Sequence, residues 1–213
     1  METSTTSRES ILAAIRQNLP QPRVSRPDIP VYPGPERPLR LVFEERLVKA
    51  GAAAHPVGSA ADAAAKLAAL HPAAKVVCSA VPEISGTRRA EDVHDPHALA
   101  DVDVGVMRAQ FGVAESGAVW LTQEDLIVTA LGVLPQHLVV LLDPDEIVSD
   151  MHEAYRRAQL RETAYGCFMA GPSATADIEA TLVQGAPGAR SLNVLFLPRT
   201  SLRRQEADHD TAR

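Results

Sequence analysis

The sequence predicts an α/β protein with a mixed, mostly parallel sheet flanked by helices. Three observations carry this expectation. Short apolar runs, such as Val76-Val77-Cys78 and Leu138-Val139-Val140-Leu141-Leu142, alternate with helical stretches, the signature of strand–helix–strand units. A tight Ser116-Gly117 turn joins two further apolar segments, which adds an antiparallel pair. The 213 residues, 46% apolar and 23% charged, suit one sizeable globular core and not a mainly disordered chain.

The elements follow in order. Residues 7–19 read as an amphipathic helix, with Ile11, Leu12 and Ile15 at helical spacing and Ser7 as N-cap. Pro20 ends it, and a proline-rich connector runs to residue 38. Residues 1–38 are therefore an N-terminal helix with its connector, 39–197 the α/β domain, and 198–213 a polar tail. Within the domain, 39–50 is a helix capped by Gly51, 53–57 a short strand and 60–70 an alanine-rich helix. Residues 75–79 form a buried strand, and 81–101 a connector with a short helix near His97. Strands are expected at 102–107, 111–115, 118–122 and 138–142, with a short helix or irregular segment at 126–134. A helix capped by Asp143 or Asp145 runs to about residue 161. A strand at 165–169, a helix at 175–183 and a strand at 192–197 complete the pattern.

Charge and composition exclude several classes. Twenty-seven acidic residues against 21 basic ones give a net charge of −6, which disfavours a nucleic-acid partner. Aromatic residues are 4% of the chain, too few for a base-stacking platform. Two cysteines, Cys78 and Cys167, form no disulfide framework, and no iron–sulfur cluster is expected in a chain with only two thiols. No run of apolar residues is long enough for a membrane span, and no signal-peptide core stands at the N-terminus, so a cytoplasmic setting is expected.

Three segments can carry chemistry. In Ala114-Glu115-Ser116-Gly117-Ala118 an acid stands at the end of an apolar strand beside a glycine that permits a sharp reversal. Partial desolvation there raises a carboxyl pKa and suits Glu115 to acid–base or nucleophilic work. The alternative is a hairpin whose glutamate faces solvent. Gly171-Pro172-Ser173-Ala174-Thr175-Ala176-Asp177-Ile178-Glu179 follows a strand and opens the expected helix. Backbone N–H groups and the Ser173 and Thr175 hydroxyls would suit an anion there. The alternative is a capped helix start, with Asp177 and Glu179 complementing the dipole. Gly185-Ala186-Pro187-Gly188 is a tight loop that can line the same cleft. His94 and His97 lie in a surface loop broken by Pro96, and no metal site is expected. Arg88-Arg89 and Arg203-Arg204 read as solvated basic pairs.

Taken together, these segments resemble the lactate utilization protein C family, the LUD domain group. Glu115-Ser116-Gly117-Ala118 is similar to its Glu-Thr-Gly-Thr hairpin. Leu134-Pro135-Gln136-His137-Leu138-Val139-Val140 resembles its Leu-Pro-x-x-His-Ile-x-Val step, with the histidine one place earlier. The 171–179 segment, followed by Gly185 and Gly188, resembles its C-terminal signature. The resemblance implies a fold like that of sugar-phosphate isomerases, class I CoA transferases and formyltetrahydrofolate cyclo-ligases. It implies a part in L-lactate oxidation to pyruvate beside iron–sulfur partner proteins. The residues expected around a small anionic ligand or a partner are Ser116, Gly117, Gly171, Pro172, Ser173, Thr175, Asp177, Glu179, Gly185 and Gly188, and if the chain is catalytic Glu115 is the expected acid–base or nucleophilic group. The turn is also similar to the Ser-Glu-Asn-Gly turn that bears the nucleophile of CoA transferases. Ala118 departs from the family's threonine, and no clear basic residue follows Thr122. On the same fold, a stand-alone acyl-CoA, sugar-phosphate or folate enzyme, or a non-catalytic structural subunit, are the alternatives.

Overall fold

A run of valines and leucines with no polar alternation suits a strand covered on both faces, as in the middle of a parallel sheet. The computed structural model, which describes residues 6–19, 25, 27, 30, 33–158, 160, 163–176, 183–184 and 188–199, places these runs there. The chain divides into two units, Met1–Pro33 and Gly34–Arg213. The first holds helix α1 (Ser7–Gln17). Its N-cap is Thr6, one residue before the expected Ser7. The Thr6 hydroxyl accepts from Glu9 N at 3.4 Å and the Glu9 carboxylate accepts from Thr6 N at 3.0 Å, a reciprocal capping box.

The second unit runs α2 (Leu39–Lys49), β1 (Ala53–Pro56), α3 (Ala60–Leu70), β2 (Val77–Ser79), β3 (Arg88–Arg89), β4 (Val104–Arg108), β5 (Phe111–Val113) and β6 (Ala118–Thr122). It continues with α4 (Gln123–Leu126), β7 (His137–Leu142), β8 (Ile147–Val148), α5 (Met151–Arg157), β9 (Gly166–Met169), β10 (Ala174–Thr175), β11 (Val183–Gln184) and β12 (Ser191–Phe196). Single 3-10 turns at Ala90–Asp92, Pro96–Leu99, Thr129–Gly132 and Pro144–Glu146 bridge these elements.

Six strands form a sheet in the order β1-β12-β7-β4-β2-β3, with every pairing parallel. The expected antiparallel pairing is present but segregated. It lies in a second sheet, β8-β5-β6-β9, where β6 pairs antiparallel with β5 and β9. Period-two alternation sorts β7 between two cores. Leu138, Val140 and Leu142 join Leu192, Val194 and Phe196 of β12 on one face, with Phe43 and Leu47 of α2 and Val119 and Leu121 of β6. Val139 and Leu141 pack on the other with Ala63 and Leu67 of α3. A third cluster, Phe111, Val113, Trp120, Val148, Ala154 and Ala158, covers the outer face of the second sheet with α5. Phe43 links the two sheets. Its ring meets Phe196 edge-on, with centroids 6.0 Å apart, and abuts Gly112 of β5.

One expected helix starts later than its sequence suggested, and another has strands at both expected ends. The helix expected from Asp143 begins only at Met151, because Asp143 caps a single 3-10 turn and Ile147-Val148 then pairs with β5. Asp150 caps α5 instead, accepting from Glu153 N at 2.9 Å. The helix expected at 175–183 has both ends in strands, Thr175 pairing antiparallel with Val183. Both are β-branched residues suited to extended backbone. The residues between them, 177–182, lie outside the described set, as do 200–213 of the expected tail.

Candidate functional site

The turn after β5 is fixed by packing. Gly117 has φ +68°, and a Cβ there would lie 2.4 Å from Leu47 N of α2. Only glycine allows both this conformation and this approach. Glu115 is exposed, and its carboxylate accepts from Met151 N at 2.9 Å. It thereby satisfies one of the N–H groups that the first turn of α5 leaves open. The desolvation expected of Glu115 is therefore absent. Ser116 is half-buried, its hydroxyl accepting from Ala118 N at 3.4 Å.

The β6–β9 register, continued two residues beyond its end, sets Gly117 beside Gly171. Gly171 has φ +74°, and a Cβ there would lie 2.1 Å from Ala50 O, just past α2. Pro172 is buried, and Ser173 N donates to Ala189 O at 2.8 Å. Gly188 lies against Ser173, so the second and third segments do meet. Asp177, Glu179 and Gly185 lie outside the described residues. Glu115 follows β5 and its carboxylate reaches the first turn of α5, whereas Ser173 follows β9, two strands away in the second sheet. The helix start expected to hold an anion at Ser173 and Thr175 is replaced by the β10 strand.

In parallel α/β sheets ligands sit beyond the carboxyl ends of the strands, and here those ends carry charge. Arg108 ends β4 and pairs with Glu83 at 2.8 Å while donating to Leu197 O at 3.1 Å. Asp143, just past β7, accepts from Arg199 N at 2.9 Å, and Arg199 Nη2 donates to Ala109 O at 3.4 Å. A cleft of about 770 Å³ opens beside the second sheet, lined from Gln110, the end of β6, α4 and the end of α5. Its described lining includes Gln110, Thr122, Glu124, Arg157, Ala164 and Tyr165. Gln110 donates to the Thr122 hydroxyl at 3.2 Å, and that hydroxyl donates to Asp125 at 2.7 Å. Arg157 lies over the Phe111 ring, 5.0 Å from its centroid, and pairs with Glu146. The cleft thus offers a held guanidinium, an amide and a phenol to a polar ligand of ordinary metabolite size.

None of these residues stood out as a motif. The signal that finds them is positional: Arg108 and Asp143 each follow directly on an apolar strand run.

The thiols are poor nucleophiles. Burial pushes both Cys78 and Cys167 above the ordinary thiol range. Among the described residues no group of three or more His, Cys, Asp or Glu side chains comes together as a metal site. His97 is exposed and pairs with Asp95 at 2.8 Å, and Arg88 is fixed to Asp101 at 2.8 Å. Arg203-Arg204 lies outside the described residues. Among those residues no helix is long and apolar enough to cross a membrane.

Comparison with known proteins follows this geometry. Residues 83–197 match the LUD domain model. Lactate utilization protein C of Deinococcus radiodurans is 30% identical over 187 residues, 81% of this chain and 88% of that protein. An uncharacterized protein of Neisseria meningitidis serogroup B is 30% identical over 102 residues, 46% of this chain and 44% of that protein. The lactate utilization protein C of Oceanobacillus iheyensis is 27% identical over 101 residues, 45% of this chain and 42% of that protein. The chain therefore spans less than half the length of two of these relatives. A solved DUF162 family protein from Deinococcus radiodurans shares the fold, with a TM-score of 0.57 at 21% identity over 74% of this chain and 95% of that one. The matched domain model, which takes in both sheets from Glu83 onward, and the long Deinococcus alignment together make this chain a member of the LUD domain family.

Proposed function

We propose that this protein takes part in lactate utilization, as a cytoplasmic component of an L-lactate oxidation system that works beside iron–sulfur partner proteins. The observation that carries the reading is the alignment with lactate utilization protein C of Deinococcus radiodurans over 88% of that protein's length. Two thiols, both held protonated by burial, support a division of labour in which the cluster chemistry belongs to the partners. The cleft beside Gln110 takes the small anionic ligand of this reading. Its Arg157 guanidinium, which already pairs with Glu146, offers a carboxylate a charge-assisted hydrogen bond.

The test is growth of a strain that lacks the gene, on L-lactate and on a sugar. The reading expects loss of growth on lactate alone and its return with the wild-type gene. Normal growth on lactate, with no second copy in the genome, contradicts it.

One observation favours a second reading. Glu115 is exposed at a turn, within reach of a substrate. If it is the acid–base group or nucleophile of a stand-alone acyl-CoA, sugar-phosphate or folate enzyme, the isolated chain turns over such a substrate and Glu115→Gln abolishes that turnover. In the first reading Glu115→Gln changes nothing, because a glutamine oxygen still accepts from Met151 N.

A further inference from the structure

The opposite, amino end of the parallel sheet carries a second concavity, of about 620 Å³. His137 and Ser191 open neighbouring strands β7 and β12 in direct register, and Asp103 immediately precedes β4. His71, which caps α3, stacks on His137 with ring centroids 4.5 Å apart and planes 29° apart. His137 Nδ1 and Ser191 Oγ share a hydrogen bond of 2.8 Å. Arg190 is exposed on the same rim.

We propose that this amino-end concavity binds a small oxyanion, a carboxylate or a phosphate, between the Arg190 guanidinium and the Ser191 hydroxyl, with the His71–His137 stack as its wall. The acid that lines the site does not compete for the ligand's place. Asp103 turns its carboxylate to the backbone, accepting from Lys75 N at 2.7 Å and Val76 N at 2.9 Å. Asn193 is likewise engaged, 3.1 Å from His55 Nε2. Among the remaining lining side chains, the Arg190 guanidinium, the Ser191 hydroxyl and the Gln136 amide can donate. With His137 protonated at Nδ1, its N–H donates to Ser191 Oγ and the serine hydroxyl proton turns to the ligand. Burial holds both imidazoles below their ordinary range, and the Arg190 charge lowers His137 further. The site is independent of the cleft beside Gln110, since it lies at the other end of the strands.

The experiment is calorimetric titration of the full chain, with inorganic phosphate in one arm and L-lactate in the other. Saturable binding is expected in at least one arm, and the arm that saturates identifies the oxyanion. Arg190→Ala should weaken it about tenfold or more, as loss of a charge-assisted hydrogen bond does. Ser191→Ala should weaken it less, and Arg156→Ala, an exposed arginine on α5, should not. No binding in either arm overturns the proposal. So does binding that Arg190→Ala leaves intact. Lactate binding abolished by Ala164→Trp but not by Arg190→Ala belongs to the cleft beside Gln110 and also counts against this site.

Discussion

The turn at 115–118 and the cleft beside Gln110 are built of opposite materials. The turn has the look of a motif, but its parts hold the fold together. Gly117 lets the hairpin close against the α2 backbone, and Glu115 caps the first turn of α5. The cleft carries no recognisable motif, yet it gathers an arginine, an amide, a hydroxyl and a phenol beside the second sheet. A sequence signature can mark a packing constraint as readily as a reaction. Substitutions in the turn should therefore act on stability, and substitutions in the cleft on function.

The largest effect is expected at Gly117→Ala. The new Cβ meets the α2 backbone at 2.4 Å in a left-handed conformation, so something must shift. A loss of about 3 kcal/mol in urea unfolding is expected. A loss well below about 1 kcal/mol would mean that α2 yields and that the turn is not the brace described here. Gly171→Ala, against Ala50 O, should follow in the same direction.

Ala164→Trp sharpens the other half of the comparison. Ala164 is exposed on the cleft wall. An indole there should fill the cleft and leave the unfolding midpoint within about 0.5 kcal/mol of wild type. Loss of function with an unchanged midpoint places function in the cleft; loss of both does not.

The histidine pair adds a smaller, pH-dependent effect. Both folded-state values lie below the ordinary 6.5, chiefly through burial, with Arg190 lowering His137 and Asp103 opposing it. The unfolded chain therefore binds more protons below about pH 6.5, and stability falls as pH drops through that value toward the folded-state ones. His71→Gln should flatten this slope in urea midpoints measured from pH 7.5 down to pH 5. An unchanged slope would mean that the stack does not titrate in this range.

The smallest effect is expected at Glu115→Gln, within about 0.5 kcal/mol. A larger loss would show that the charge, and not only the oxygen, supports α5.

Much of the fold was legible because apolar runs such as Leu138–Leu142 have no other place than a covered strand. The alanine-rich α3 was legible to the residue, Ala60–Leu70, though its Ser59 cap was not named by the pattern. The division into two sheets was not, because alternation along β5 and β6 says that they pair with each other and not which sheet they join. The expected ends of the 175–183 helix misled, because Thr175 and Val183 pair across a two-stranded ladder, while 177–182 lie outside the described residues. In the candidate site the sequence left open whether the 185–188 loop meets the 171–179 segment, and Gly188 lies against Ser173. The engagement of Glu115 by the first turn of α5 was not legible, since it depends on where the chain after β8 delivers Met151. Arg157 reaches the cleft only through the packing of α5 on Phe111, a contact that no local pattern announces.

The most direct measurement is growth on L-lactate of the deletion strain carrying wild type, Ala164→Trp or Glu115→Gln at equal protein levels. The account predicts growth with wild type and Glu115→Gln and failure with Ala164→Trp. Failure with Glu115→Gln and growth with Ala164→Trp would move the chemistry back to the turn and contradict it.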